Sequence, residues 1–200
     1  MKEIQIANAS PEDADVAAIL AFAAYHKFSY DIFGEINEEA ARDYFKKLWL
    51  HGENRFGHCY SYVAKTQNKT IGLITCYPTP LIRKLVYPTV WQLINIGRFK
   101  FIWHFLTHLE NFYYFSSTQD LKPNEMYIAT LSVLPEYRCL GVGTKMLQYA
   151  CNLSKEMGLK YCTLHVDAKN NGGIRFYERN GFTKAPPIEN VNYFRMVHSV

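Results

Sequence analysis

The run Arg138-Cys139-Leu140-Gly141-Val142-Gly143-Thr144 has the residue types and spacing to hold an anion. Its two glycines let a ligand come close to the backbone. A helix opening at its end would aim unpaired first-turn N–H groups, and the positive end of its dipole, at the same point. Phosphate is the anion such a turn binds. Two phosphate loops do not fit. A nucleotide P-loop requires Gly-Lys followed by Ser or Thr, which Gly143-Thr144-Lys145-Met146 does not supply. A dinucleotide fingerprint requires a third glycine, where Met146 stands, and usually sits in a chain's first βαβ unit. About 30 residues on, Asn170-Asn171-Gly172-Gly173-Ile174-Arg175-Phe176-Tyr177-Glu178-Arg179-Asn180-Gly181-Phe182 brings a phenol, a helix-capping amide and a second glycine stop close together.

The elements around these residues follow from periodicity. Met126 to Val133 reads as a strand, rich in β-branched and aromatic residues, and Pro135 closes it. Val142, Met146, Ala150, Leu153 and Met157 recur at spacings of three and four, an amphipathic helix. Tyr161 to Val166 reads as the next strand. Earlier, Ile4 to Ala7 forms a first strand and Ser10-Pro11-Glu12-Asp13 a helix start, with Val16, Ile19, Leu20 and Ala23 as the apolar face. A second helix follows Asn37, with Ala40, Ala41, Tyr44, Phe45 and Leu48 inward. Tyr60 to Ala64 and Ile71 to Cys76 flank Gln67-Asn68-Lys69 as a hairpin, and Val191 to Val197 suits a last antiparallel strand.

Composition bounds the function. Two hundred residues suit one domain with a substantial core, and the 48% hydrophobic fraction excludes a disordered chain. A net charge of +4 with no Lys/Arg run favours an anionic ligand weakly and points to no nucleic acid. Five cysteines, Cys59, Cys76, Cys139, Cys151 and Cys162, show no Cys-x-x-Cys spacing, so neither paired disulfides nor a metal site is expected and a cytoplasmic location fits best. Met1 to Ile6 alternates as a strand and lacks the apolar core of a signal peptide.

Taken together, the pattern R-x-x-G-x-G after a strand ending Val-x-Pro resembles the coenzyme A pyrophosphate loop of the GNAT superfamily of N-acetyltransferases. The second block resembles that superfamily's last helix, N-x-x-A-x-x-x-Y-x-x-x-G-F, at Asn170, Tyr177, Gly181 and Phe182, with Gly173 where alanine is usual. Both stand in the expected order and cover the last third of the chain. Gly173 costs a helix about 0.5–1 kcal/mol relative to alanine and suggests a late helix start.

The resemblance implies a single N-acetyltransferase domain over residues 1–200, α+β, with a mixed, mostly antiparallel sheet flanked by helices. It implies acetyl-CoA as acyl donor, with no metal, and direct attack by an amine in a ternary complex. The pyrophosphate would sit on backbone N–H groups of Leu140, Gly141, Val142, Gly143 and Thr144, with Arg138 beside it. The pantetheine arm would pair with the backbone of Leu131, Ser132 and Val133 like an added strand. Tyr177 would lie near the coenzyme A sulfur as the general acid, and Asn170 would cap its helix and contact the cofactor. Members that use a glutamate base often carry it where this chain has Thr130, which cannot act as a base at neutral pH. His165, Asp167 and Glu125 stay open as alternatives. A non-catalytic coenzyme A-binding sensor or interaction module of the same fold is the alternative function. The acceptor is a small-molecule or protein amine. Phe22, Tyr25, Tyr30 and Phe33 can line its site or belong to the core.

Residues from about 78 to 125, between the third and fourth strands, exceed an ordinary connection and should carry structure of their own. Phe99, Ile102, Leu106, Leu109 and Tyr113 recur at helical spacing, and Trp91, Trp103, Phe105, Phe112, Tyr114 and Phe115 make the segment aromatic. Three readings stand: a helical insertion packed over the sheet that shapes the acceptor pocket, a surface for a homodimer or another partner, and a helix lying on a membrane. The first is expected. Membrane contact is not, because Asn95, Arg98, Lys100 and His104 interrupt the apolar run.

Overall fold

The computed structural model describes residues 3–34, 37–107, 120–186 and 191–200. Seven strands form one sheet: β1 (Gln5–Asn8), β2 (Ser61–Thr66), β3 (Lys69–Pro78), β4 (Glu125–Val133), β5 (Tyr161–Asp167), β6 (Thr183–Lys184) and β7 (Tyr193–Ser199). Their order is β1-β2-β3-β4-β5-β7-β6. Only β4 and β5 run parallel, so the sheet is mixed and mostly antiparallel. The β2–β3 hairpin turns through Gln67 and Asn68, both left-handed at φ 50° and 62°. Such a two-residue turn matches the twist of its strands.

Three helices precede β2: α1 (Ala14–Tyr25), α2 (Lys27–Phe33) and α3 (Glu38–His51). They cover one face of the sheet, where Leu20, Phe22, Phe33, Phe45, Leu48 and Trp49 pack with Val63 and Leu73. The apolar face of α1 differs from the sequence expectation. Ala14, Ala17, Ala18, Ala21 and Phe22 are buried, while Ile19 is exposed and so is Ala23. Small side chains let α1 lie close to the strands, and hydrophobicity ranking overlooks alanine. Helix α2 was also unforeseen. His26, at φ 34°, breaks the helical path after Tyr25 and turns the chain into a second short helix.

The other face carries α5 (Val142–Glu156) and α6 (Asn171–Arg179), with Met146, Leu147, Ala150, Ile174 and Phe182 against Ile71, Ile74, Met126, Ile128 and Leu164. Helix α5 buries Val142, Met146 and Ala150 as expected, but Leu153 is only half-buried and Met157 is exposed. Leu147 and Ser154 complete its inner face instead. Cys162 is buried, Cys151 half-buried and Cys139 exposed.

Between β3 and β4 the chain forms α4 (Thr79–Thr107), a 29-residue helix. Its inner side buries Ile82, Leu85, Thr89, Leu93 and Phe101. Leu109, Phe112, Tyr113, Tyr114 and Phe115 lie outside the described residues. Among the described residues, no helix is long and apolar enough to cross a membrane.

A buried carboxylate ties the N-terminal layer to the sheet. Asp13 accepts from the Ser10 N–H (3.0 Å) and hydroxyl (3.1 Å), from Thr70 Oγ1 (2.6 Å), and pairs with Lys65 Nζ at 3.0 Å. Burial alone would raise its pKa. The bonds from Thr70, Lys65 and Ser10 outweigh that and hold it below the ordinary carboxylate value.

Candidate active site

Strands β4 and β5 pair only through Glu125↔Tyr161, Met126↔Cys162 and Tyr127↔Thr163. Beyond that, β4 stays on β3 as far as Val133↔Gly72, and β5 stays on β7 as far as Asp167↔Tyr193. The two strands therefore part, and the β4 edge from Ile128 to Val133 that faces the gap has no ladder partner among the described residues. Unpaired backbone N–H and C=O groups on such an edge can bond an extended ligand as an added strand. Leu131, Ser132 and Val133 lie on this edge. Opposite Thr75 and Cys76 the register of β4 slips, leaving Ala129 as an extra residue. A bulge there re-aims the backbone where the strands part.

The glycine loop stands at the far end of the same strand. Gly141 caps α5 in the left-handed region at φ 79°, and a side chain added there would meet open space. Leu140 and Gly141 are exposed, Gly143 and Thr144 half-buried, and Val142 is anchored in the core. Gly143 has a different reason to be glycine: an added Cβ would lie 3.0 Å from Phe176 Cζ. It lets α6 close onto α5. Arg138 is not a free loop cation, since its Nε donates to the Val133 carbonyl at 3.1 Å, which ties the loop to the end of β4.

Helix α6 starts directly after its cap. The Asn170 side chain accepts from Gly173 N–H at 2.8 Å, and an added Cβ on Gly173 would approach that side chain to 2.7 Å. Glycine here makes room for the cap, and the late helix start expected from it does not occur. Tyr177 is half-buried, edge-on to Phe176 and Phe182 with ring centroids 5.3 and 6.0 Å away. Burial pushes its phenol up to about 12, so it keeps its proton at neutral pH.

At the apex of the gap lies a polar cluster that the motifs did not reveal. His165 Nε2 stands 2.6 Å from Asp120 Oδ2, and its Nδ1 is 3.3 Å from the Tyr127 hydroxyl. Its ring also packs on Tyr193 with centroids 4.6 Å apart. Burial would raise the Asp120 pKa, but the hydrogen bond and charge of His165 lower it below the ordinary value, so it is a carboxylate at neutral pH. Asp120 thus engages the Nε2 side of the ring, and Nδ1 faces the Tyr127 hydroxyl. Beside it, Tyr25 donates to the Ala129 carbonyl (3.0 Å) and accepts from Thr130 Oγ1 (3.0 Å). Thr130 is thus engaged in holding α1 on the bulge. Arg55, buried, donates from Nε to Tyr77 at 3.5 Å. Burial raises Tyr25 and Tyr127 well above the usual phenol range.

The other base candidates are less well placed. Glu125 is buried in an ion pair with Arg195 and accepts from Lys122 N–H at 3.2 Å. Asp167 is exposed and holds the turn through Lys169 N–H at 2.7 Å. Phe22 and Phe33 belong to the core, whereas Tyr25 reaches the gap. Asp120 and Tyr127 carry no local motif. A histidine facing a strand tyrosine across a parallel pair is visible only once the register is known.

Comparison with known proteins agrees with this geometry. The family model described as "Acetyltransferase (GNAT) family" matches residues 22–182. The chain is 43% identical over 58 residues to N-alpha-acetyltransferase 50 of Danio rerio, covering 28% of this chain and 34% of that protein. It thus spans only about a third of that relative's length. An N-acetyltransferase structure from Staphylococcus aureus Mu50 superposes with a TM-score of 0.72 at 21% identity, covering 98% of this chain and 100% of the other. The PaiA N-acetyltransferase from Thermoplasma acidophilum, solved in complex with coenzyme A, gives 0.61 at 19% identity, with 99% of each chain covered. With its parted parallel strands, its glycine loop at a helix start and a family match over most of its length, the chain belongs to the GNAT family of acetyltransferases.

Proposed function

We propose that the protein is an N-acetyltransferase that moves an acetyl group from acetyl-CoA to an amine by direct attack. The observation that carries this is the β4–β5 gap, which has a glycine-capped helix start at one end and a histidine–carboxylate pair at the other. Acetyl-CoA, when bound, supplies the activated acetyl thioester. The edge at Leu131, Ser132 and Val133, which has no β5 partner, the open space at Gly141, and the N–H groups of Leu140 through Thr144 suit its pantetheine and pyrophosphate. Asn170 acts through the start of α6, and Arg138 by fixing the loop to β4.

An alkyl ammonium is less than about one per cent neutral at pH 7, so the acceptor must lose a proton before its nitrogen can attack. His165 Nδ1 receives that proton, directly or through the Tyr127 hydroxyl, while Asp120 steadies the resulting imidazolium. As the C–N bond forms and the C–S bond breaks, the second proton of the attacking nitrogen leaves to solvent and Tyr177 gives its own to the departing thiolate, then regains one from solvent. The zebrafish relative's name places its chemistry on α-amines. A peptide N-terminus is therefore the first acceptor to test, ahead of small polyamines.

Calorimetric titration with acetyl-CoA, paired with thiol release on adding a peptide amine, tests the reading. Binding by the wild type, lost in a folded Gly141→Asp/Gly143→Asp variant, is the expected result. Failure of the wild type to bind would overturn the proposal. Unchanged turnover in Tyr177→Phe would remove only the acid.

A further inference from the structure

Helix α4 is apolar on two sides, and among the described residues only one of them is buried. Beyond its buried side, it presents Tyr87 at 75% exposure, Trp91 at 55%, Ile102 at 39%, Trp103 at 63% and Leu106 at 60%. Half of the large hydrophobic side chains exposed among the described residues stand on this one helix, including two of the chain's three tryptophans. Tyr87, Trp91, Ile102 and Leu106 follow one another at helical spacing, with Asn95 between them, along a single stripe. The exposed Lys84 lies on the same stripe and Arg83 beside it. Alongside, a shallow groove of about 490 Å³ is lined by Lys47, Leu50 and His51 of α3 and by Asn95 and Ile96 of α4. Leu50 is itself 50% exposed.

Charge selects the occupant. Between Thr79 and Thr107 the sequence holds Arg83, Lys84, Arg98 and Lys100 and no Asp or Glu. A second copy of the chain would bring this face against itself in a two-fold dimer, cation against cation. An anionic bilayer complements the basic residues, and tryptophan and tyrosine place their rings at the headgroup level. We infer that the outer face of α4 docks the protein on anionic lipid surfaces, lying in the interface rather than crossing it. This goes beyond the acetyl-transfer reading and does not depend on it. In the sequence a helix lying on a membrane is the least expected of the three readings of this segment, because polar residues interrupt its apolar run. They exclude a spanning helix and suit a surface one.

Co-sedimentation of the full chain with vesicles tests this, comparing phosphatidylcholine alone with phosphatidylcholine containing phosphatidylglycerol. The expected result is pelleting with the anionic vesicles only, relieved by salt, with a blue shift of tryptophan emission. Arg83→Glu/Lys84→Glu should weaken partitioning roughly 30-fold or more, given the attraction of each basic residue to such a surface. Trp91→Ala/Trp103→Ala should abolish the emission shift and most of the binding. Two outcomes overturn the proposal. One is wild-type protein left in the supernatant with both vesicles. The other is a dimer, seen by light scattering, that Trp91→Ala/Trp103→Ala dissociates while vesicle binding is absent. An unchanged far-ultraviolet circular dichroism spectrum and melting transition in every variant shows that the fold is intact and separates this test from that of the enzymatic reading.

Discussion

The gap between β4 and β5 and the outer side of α4 are two regions built in opposite ways. In the gap, polar side chains hold one another: Asp120 on His165, His165 on Tyr127, Tyr25 between Ala129 and Thr130. These bonds fix each group in one orientation before any ligand arrives, which is what proton transfer requires. On α4 the rings of Tyr87, Trp91 and Trp103 are exposed, and no such network joins them among the described residues. A surface that only has to bury area tolerates loose side chains; a site that moves a proton does not.

The largest effect that would break this contrast is at His165. His165→Ala should lower turnover by about 10²–10⁴-fold with little change in acetyl-CoA affinity, measured by thiol release and calorimetry. A small change in turnover would place the base elsewhere. Asp120→Asn should lower turnover less and move the acid limb of the pH–rate profile, because the imidazolium loses its countercharge. A purely structural role for Asp120 would leave that limb in place.

The two sides of α4 sharpen the comparison in stability. Leu93, fully buried, should cost about 2–5 kcal/mol on truncation to alanine in chemical denaturation. Trp91→Ala should stay within about 0.5 kcal/mol of wild type. Equal costs would mean that the outer face is packed in solution. The two loop glycines should differ as well. Gly141→Ala should lose roughly 1–2 kcal/mol from its left-handed backbone alone, whereas Gly143→Ala should perturb the contact with Phe176 instead.

The smallest effect lies in acid. Asp13 and Asp120 both have folded pKa values below 3.8. Their stabilising contribution is therefore fully present above that value and fades as the pH falls through the lowered ones. Asp13→Asn should flatten the acid end of a stability–pH curve and leave its neutral region nearly parallel to wild type.

Spacing alone gave the loop, the cap at Asn170, the strand–helix–strand order around them and the presence of a helix between β3 and β4. These are local matters, set by residues within a few positions of one another, such as the glycine pair with its following apolar period. The inner face of α1 was misread because alanines buried by close helix–sheet approach carry little hydrophobic signal. Helix α2 was hidden because His26 takes a backbone conformation its residue type does not announce. β6, only two residues long, exists through its pairing with β7.

The sequence by itself determined that a glycine loop opens a helix after a strand, and that Tyr177 follows a capped turn. Only the tertiary structure decided which groups could serve as base. His165, Asp120 and Tyr127 lie 38 and 45 residues apart along the chain from one another's partners. Their meeting depends on the register of two parallel strands that pair for three residues and then part. Such a juxtaposition is a property of long-range pairing, which no local pattern encodes. The fate of α4 follows the same division: its composition told which residues are apolar, and packing decided which of them stayed uncovered.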